Sequence, residues 1–104
     1  MLDLWYNIYM NPQVRDVQEK AKPVLVQYGA VYAGVFGSVA RGEATQNSDV
    51  YMLVQLGSPM GLVRYIQFTN ALKKALAREV DVISPDMHPL LRKRVQKDLV
   101  SIYG

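Results

Sequence analysis

The chain contains no cysteine. That excludes a disulfide framework, a thiolate metal site and a cysteine nucleophile. Its single histidine, His88, has no second imidazole with which to form a metal pair. Any metal must then be held by oxygen ligands, which suits magnesium or manganese. No apolar run approaches the roughly 20 residues of a membrane span. No low-complexity tract, internal repeat or interdomain linker interrupts residues 1–104, so a single domain is expected. Charge of one sign is scarce as well. Twelve Lys and Arg against nine Asp and Glu give +3. That excess suits a polyphosphate ligand and is too small to argue for nucleic-acid binding.

Apolar residues, by contrast, are plentiful. They make up 50% of the chain, enough for a core. A domain this short often gains from a partner, a second copy among them. Residues 1–10 have neither a basic start nor a small-residue cleavage site, so they are not a signal peptide, and a cytoplasmic protein is expected. Leu2, Leu4, Tyr6, Ile8 and Met10 alternate with Asp3, Trp5, Asn7 and Tyr9. This period of two fits an extra edge strand. The competing reading is a non-native extension ahead of a start at Met10.

Asn11-Pro12 predicts a helix start: a capping side chain, then proline in the first turn. Val14, Val17, Ala21, Val24, Leu25 and Tyr28 follow at helical spacing, with Pro23 expected to kink or split the helix and Gly29 to stop it. Ala30 to Phe36 is a short apolar run, read as a strand covered on both faces. Asp49 to Leu56 reads as a second strand, and Gly57 to Gly61 as a loop. Leu62, Tyr65, Ile66, Thr69, Leu72 and Leu76 mark one helical face, with Arg64, Lys73, Lys74 and Arg78 largely off it. Val80 to Ile83 is a third strand carrying Asp81. His88-Pro89 opens a last helix with Leu91, Val95, Leu99 and Ile102 inward. The expected order, with a short helix after Phe36, is α, β, short α, β, α, β, α, an α/β plan.

The chemistry-bearing stretch runs from Gly37 to Asp49. Glycine lets the backbone bend and approach a ligand closely. Val39 to Arg41 can then form a first helical turn whose free N–H groups face an anion, with the Ser38 hydroxyl and the Arg41 charge added to it. A Gly-Ser turn alone is weak evidence, because such turns are common. Asp49 strengthens it: an acid opening an apolar strand beside this turn is best explained by a ligand or an ion. The plainer alternative is that Asp49 caps a turn with Ser48. Asp81 stands within an otherwise apolar, β-branched strand. Where the two strands neighbour each other, Asp49 and Asp81 converge as half of a metal-assisted phosphoryl-transfer site.

These residues together resemble the minimal nucleotidyltransferases, small members of the DNA polymerase β-like nucleotidyltransferase superfamily. The family signature sets Gly-Ser ahead of Asp-x-Asp, with a third acid on a later strand. Here Gly37-Ser38 is followed by ten residues and then Asp49. Phe36, Ala40-Arg41-Gly42-Glu43-Ala44 and Ser48-Asp49 also match the usual phrasing, and Asp81 matches the third acid. The resemblance implies a small mixed β-sheet with helices packed on it. It also implies transfer of a nucleoside monophosphate, AMP from Mg2+-ATP, to a hydroxyl. On that reading Gly37, Ser38 and Arg41 hold the triphosphate. Asp49 binds metal, and Asp81 binds metal or takes the proton of the attacking hydroxyl. Many small members are antitoxins beside an all-helical HEPN-type toxin, which here would supply the acceptor.

One position departs from the pattern: Tyr51 stands where the second Asp of Asp-x-Asp belongs. Residues i and i+2 of a strand share a face, so Asp-x-Asp presents two carboxylates able to share two ions ~3.5–4 Å apart. A neutral phenol is a poor ligand for a hard cation. Tyr51 either fills part of the metal pocket or stacks on a bound base. Three readings compete. Transfer is abolished, leaving a nucleotide-binding or partner-binding protein; one metal supports slow transfer; or Glu43 substitutes as ligand by a backbone shift. Other candidates rank below these. His88 reads as a cap, Tyr65 and Phe68 as core, and Arg92-Lys93-Arg94 with Lys97 as a solvated face rather than a nucleic-acid stripe, since no aromatics interleave.

Overall fold

A computed structural model describes residues 11–86 and 89–104. The expectations for residues 1–10 and for His88, and those for the Arg94 side chain, fall outside what it describes.

Helix α1 spans Pro12–Gln27 and starts as its sequence predicts: Asn11 Oδ1 accepts from the Val14 N–H at 2.9 Å. It runs through Pro23 without a break. Strand β1, Ala30–Phe36, follows, and strand β2, Val50–Leu56, pairs antiparallel to it. Helix α2, Leu62–Leu76, crosses over to strand β3, Val80–Ile83, which lies parallel to β2. A parallel neighbour needs such a crossover because a tight turn reverses direction. Helix α3, Pro89–Asp98, leads to strand β4, Val100–Tyr103, antiparallel to β1. The mixed sheet has the order β3-β2-β1-β4.

Helices α1 and α2 cover one face of this sheet. Val14, Val17, Ala21 and Leu25 of α1 and Phe68, Leu72 and Leu76 of α2 close over Ala33, Val35, Val50, Met52, Val54 and Val80. Phe68 is the largest fully buried side chain, with Tyr28 and Tyr65 ringed around it at centroid distances of 5.4 and 6.4 Å. Tyr65 and Phe68 thus serve the core as expected.

Three expectations need correction. Gly37 to Gly42 is a single turn, not a short helix. The Gly42 N–H reaches the Val39 carbonyl (3.0 Å) and the Glu43 N–H reaches that of Ser38 (2.8 Å). These are the paired bonds that terminate a helix, and Gly42, at φ +73°, supplies the left-handed residue they need. The last helix stops at Asp98, and Ile102 is buried from a strand rather than from a helix. The free edge of β1 wins this segment, because Val100 and Ile102 also alternate with Ser101 and Tyr103. On α2 the buried stripe centres on Phe68, leaving Leu62 and Ile66 74% and 49% exposed.

Candidate functional site

Alternation along β1 and β2 sorts the functional residues to the sheet face opposite α1 and α2. Val35, Val50 and Met52 point into the core. Phe36, Tyr51 and Asp81 are their neighbours on the other face, and the strand register places them in one row: Phe36 opposite Tyr51, Tyr51 opposite Asp81. Asp49 lies two residues before Tyr51, where the Val50 N–H opens the β2–β3 ladder on the Glu79 carbonyl at 2.9 Å. The fold thus brings both acids next to Tyr51, Asp81 across the ladder on β3 and Asp49 one same-face step earlier along the chain. Both carboxylates are exposed, and neither takes part in an ion pair among the described residues. The turn before Asp49 is closed by Ser48, whose Oγ accepts from the Thr45 N–H at 2.9 Å, so Asp49 is not needed as its cap.

Gly37 continues directly from Phe36 at φ +79°, a conformation that glycine adopts without strain. A side chain there would stand 3.3 Å from Tyr51 Cδ2. The Tyr51 ring therefore leans over the turn, and it packs on Phe36 with centroids 5.8 Å apart and planes at 30°. It fills space between the Gly37-Ser38 turn and the carboxylates.

The turn is held from two sides. Asn11, besides capping α1, donates from Nδ2 to the carbonyls of Ala40 (3.0 Å) and Val39 (3.3 Å). Gln13 clamps Ala44 through both its backbone groups, at 2.8 and 2.9 Å. On the other side Arg41 donates from Nη1 to Asp98 Oδ2 at 2.7 Å and from Nε to Glu43 Oε2 at 3.1 Å. The hydrogen bonds that Arg41 donates to Glu43 first, and then to Asp98, raise its pKa above the ordinary arginine value. Glu43 is thereby committed to Arg41. Among the described residues it does not join Asp49 and Asp81, and no group of three metal-ligating side chains forms. The expectation of Glu43 as a substitute ligand is therefore not met. Asp98 was missed from sequence, although an acid ending a helix opposes the helix dipole and so hints at a partner.

A cavity of about 500 Å3 lies elsewhere, between α2 and the far ends of β2 and β3, lined by Leu56, Pro59, Tyr65, Phe68 and Pro85 among others. It shares no residue with the Gly37–Asp49–Asp81 site. The site lies instead on the sheet face opposite α1 and α2.

Residues 19–104 match the family described as Polymerase beta, Nucleotidyltransferase. The chain belongs to that nucleotidyltransferase family. It is 32% identical over 90 residues to MJ0435 of Methanocaldococcus jannaschii, named a candidate protein adenylyltransferase, covering 86% of this chain and 97% of the relative. To the protein adenylyltransferase MntA of Thermococcus cleftensis it is 32% identical over 82 residues, covering 78% and 83%. A solved structure of a candidate minimal nucleotidyltransferase superposes with a TM-score of 0.70 at 33% identity, over 88% of this chain and 96% of that one. Two toxin–antitoxin structures share the fold. One, with AMP-PNP, has a TM-score of 0.72 at 20% identity, over 84% of this chain and 73% of that one. The other, a tri-AMPylated HEPN toxin of Shewanella oneidensis with its MNT antitoxin, has a TM-score of 0.67 at 16% identity, over 88% and 72%.

As a member of this nucleotidyltransferase family, the chain has a sheet, a crossover helix and a Gly-Ser turn of the expected kind. Nucleotidyltransferases of this fold generally use a divalent metal. Asp49 and Asp81 suit one such ion, since hard divalent cations take carboxylate oxygens and complete their shell with water and phosphate. Tyr51 stands where the family signature carries a further acid. No described helix is long and apolar enough to cross a membrane.

Proposed function

We propose that this chain is a single-domain, antitoxin-type minimal nucleotidyltransferase. It transfers AMP from ATP to a hydroxyl of a helical HEPN-type partner, at a rate lowered by Tyr51. The observation that carries this reading is the placement of Asp49 and Asp81 next to Tyr51, beside the buttressed Gly37-Ser38 turn. The adenylyltransferase relatives and the AMPylated toxin complex support the choice of AMP and of a protein acceptor.

Gly37, Ser38 and Arg41 would receive the triphosphate: backbone N–H groups and a hydroxyl for its oxygens, a guanidinium for its charge. Asp49 and Asp81 would hold Mg2+, which when bound neutralises phosphate charge at the reacting centre. The acceptor oxygen bonds to the α-phosphorus, the bond to the β-phosphate side breaks, and pyrophosphate leaves. The acceptor proton goes to Asp81, whose exposed carboxylate is open to an incoming hydroxyl.

Tyr51 favours a second reading, in which the protein neutralises its partner by contact alone. Incubation with magnesium, labelled ATP and a HEPN-type helical protein found encoded beside it would separate the two. Label on the partner that is lost in Asp49→Ala supports transfer. A stable complex without label supports contact alone and overturns the catalytic reading.

A further inference from the structure

Arg41 carries two carboxylates, and only one of them is local. Glu43 is two residues away, whereas Asp98 arrives from the end of α3, 57 residues on, and makes the shorter contact at 2.7 Å. The Asp98 side chain is 23% exposed, against 67% for Glu43, so this pair is the better shielded from solvent. An acid at the last residue of a helix faces the negative end of the helix dipole and is disfavoured there unless a cation offsets it. Arg41 is that cation.

The segment that carries Asp98 is itself fixed to the strand that carries the turn. The next residue, Leu99, places Cδ1 2.7 Å from where a Cβ on Gly34 would stand, and Val100 pairs with Val35. Asp98 is therefore set by β1, two to three residues before Gly37, and not by a loose tail. An arginine has five N–H donors in one plane. Nε and one hydrogen of Nη1 are used by Glu43 and Asp98, which leaves donors for a further anion.

We propose that Asp98 is a positioning residue: through its bond to Nη1 it orients the Arg41 guanidinium toward the outer phosphates of a triphosphate seated on Gly37-Ser38. This rests on the nucleotidyltransferase reading above. Without Asp98, a long side chain that is 46% exposed has many rotamers to lose on binding. The orienting effect acts on the triphosphate and not on AMP, which lacks the outer phosphates.

Calorimetric titration of the full chain with ATP and with AMP, for wild type, Asp98→Asn, Asp98→Glu, Arg41→Ala and Asp98→Asn/Arg41→Ala, tests this. The expected result is a three- to tenfold weaker ATP affinity in Asp98→Asn, an unchanged AMP affinity and partial recovery in Asp98→Glu. The double variant should be no weaker than Arg41→Ala. Thermal melts identify any variant that has lost its fold. Equal losses for ATP and AMP, additive losses in the double variant, or tighter ATP binding in Asp98→Asn would each overturn the proposal. A wild-type chain that binds no ATP overturns the nucleotidyltransferase reading with it. A wild-type chain that binds ATP no better than Asp98→Asn overturns only the role of Asp98.

Discussion

The two halves of the site are built differently. The turn from Gly37 to Ala44 is braced by Asn11 and Gln13 from α1 and by Asp98 from α3, and it is closed by its own paired backbone bonds. Among the described residues the carboxylate rim shows no such bracing: Asp49 and Asp81 are exposed, and the Tyr51 next to them packs on Phe36. The contrast teaches that holding a phosphate and transferring a nucleotidyl group have separable structural requirements. On the proposed reading the first rests on the braced turn and the second on Asp49 and Asp81, so binding should survive changes that end transfer.

The sharpest way to separate the halves is Asp49→Ala. Loss of a metal carboxylate should cost about 4 kcal/mol of transition-state stabilisation, near a thousandfold in rate. ATP affinity should change far less, which rate and titration measurements on the same sample would reveal. Next comes Tyr51→Asp, which restores the missing ligand and uncovers Gly37. Label transfer should rise by roughly ten- to a hundredfold, or about 1.4–2.8 kcal/mol. A rate that stays flat, with no gain in divalent-ion binding, would mean that Tyr51 is not the missing ligand.

The turn breaks more gently. Asn11→Ala removes the α1 cap and two bonds to the turn, and should cost about 1–2 kcal/mol of stability. For a domain of this size that is a fall in Tm of roughly 4–15 °C, readable by calorimetry, with ATP affinity falling and any residual chemistry per bound ATP unchanged. The smallest effect concerns pH. The Arg41 pKa is raised in the folded state, so its contribution is complete below the unfolded arginine value and is lost only as pH rises through the folded one. ATP binding should therefore show no slope from Arg41 between roughly pH 6 and 10. A decline within that window would implicate another group.

Much of this was legible in the sequence because it is encoded locally. Asn11-Pro12 states a helix start in two residues, and the interval from Gly37-Ser38 to Asp49 states a turn and a strand that opens on an acid. What the sequence hid is tertiary. Leu91, Val95, Leu99 and Ile102 fit one helical face, and nothing local reveals that β1 has a free edge for Val100–Tyr103 to take. On α2, Leu62 and Ile66 are as apolar as Phe68, and only tertiary packing, with Phe68 against Tyr28, chooses between them. The pairing of Arg41 with Asp98 spans 57 residues and leaves no spacing to read.

The parallel pairing of β2 and β3 has a consequence for how this protein can be altered. Asp49 and Asp81 are held at their separation by the backbone ladder that starts at Val50 and Glu79, while the chain between them travels behind the sheet through the Gly57–Gly61 loop and α2. Their distance in space is thus independent of their distance along the chain. Residues inserted at Gly57–Gly61 would lengthen the detour and leave the ruler untouched, which makes that loop the natural place to attach a reporter or a tether.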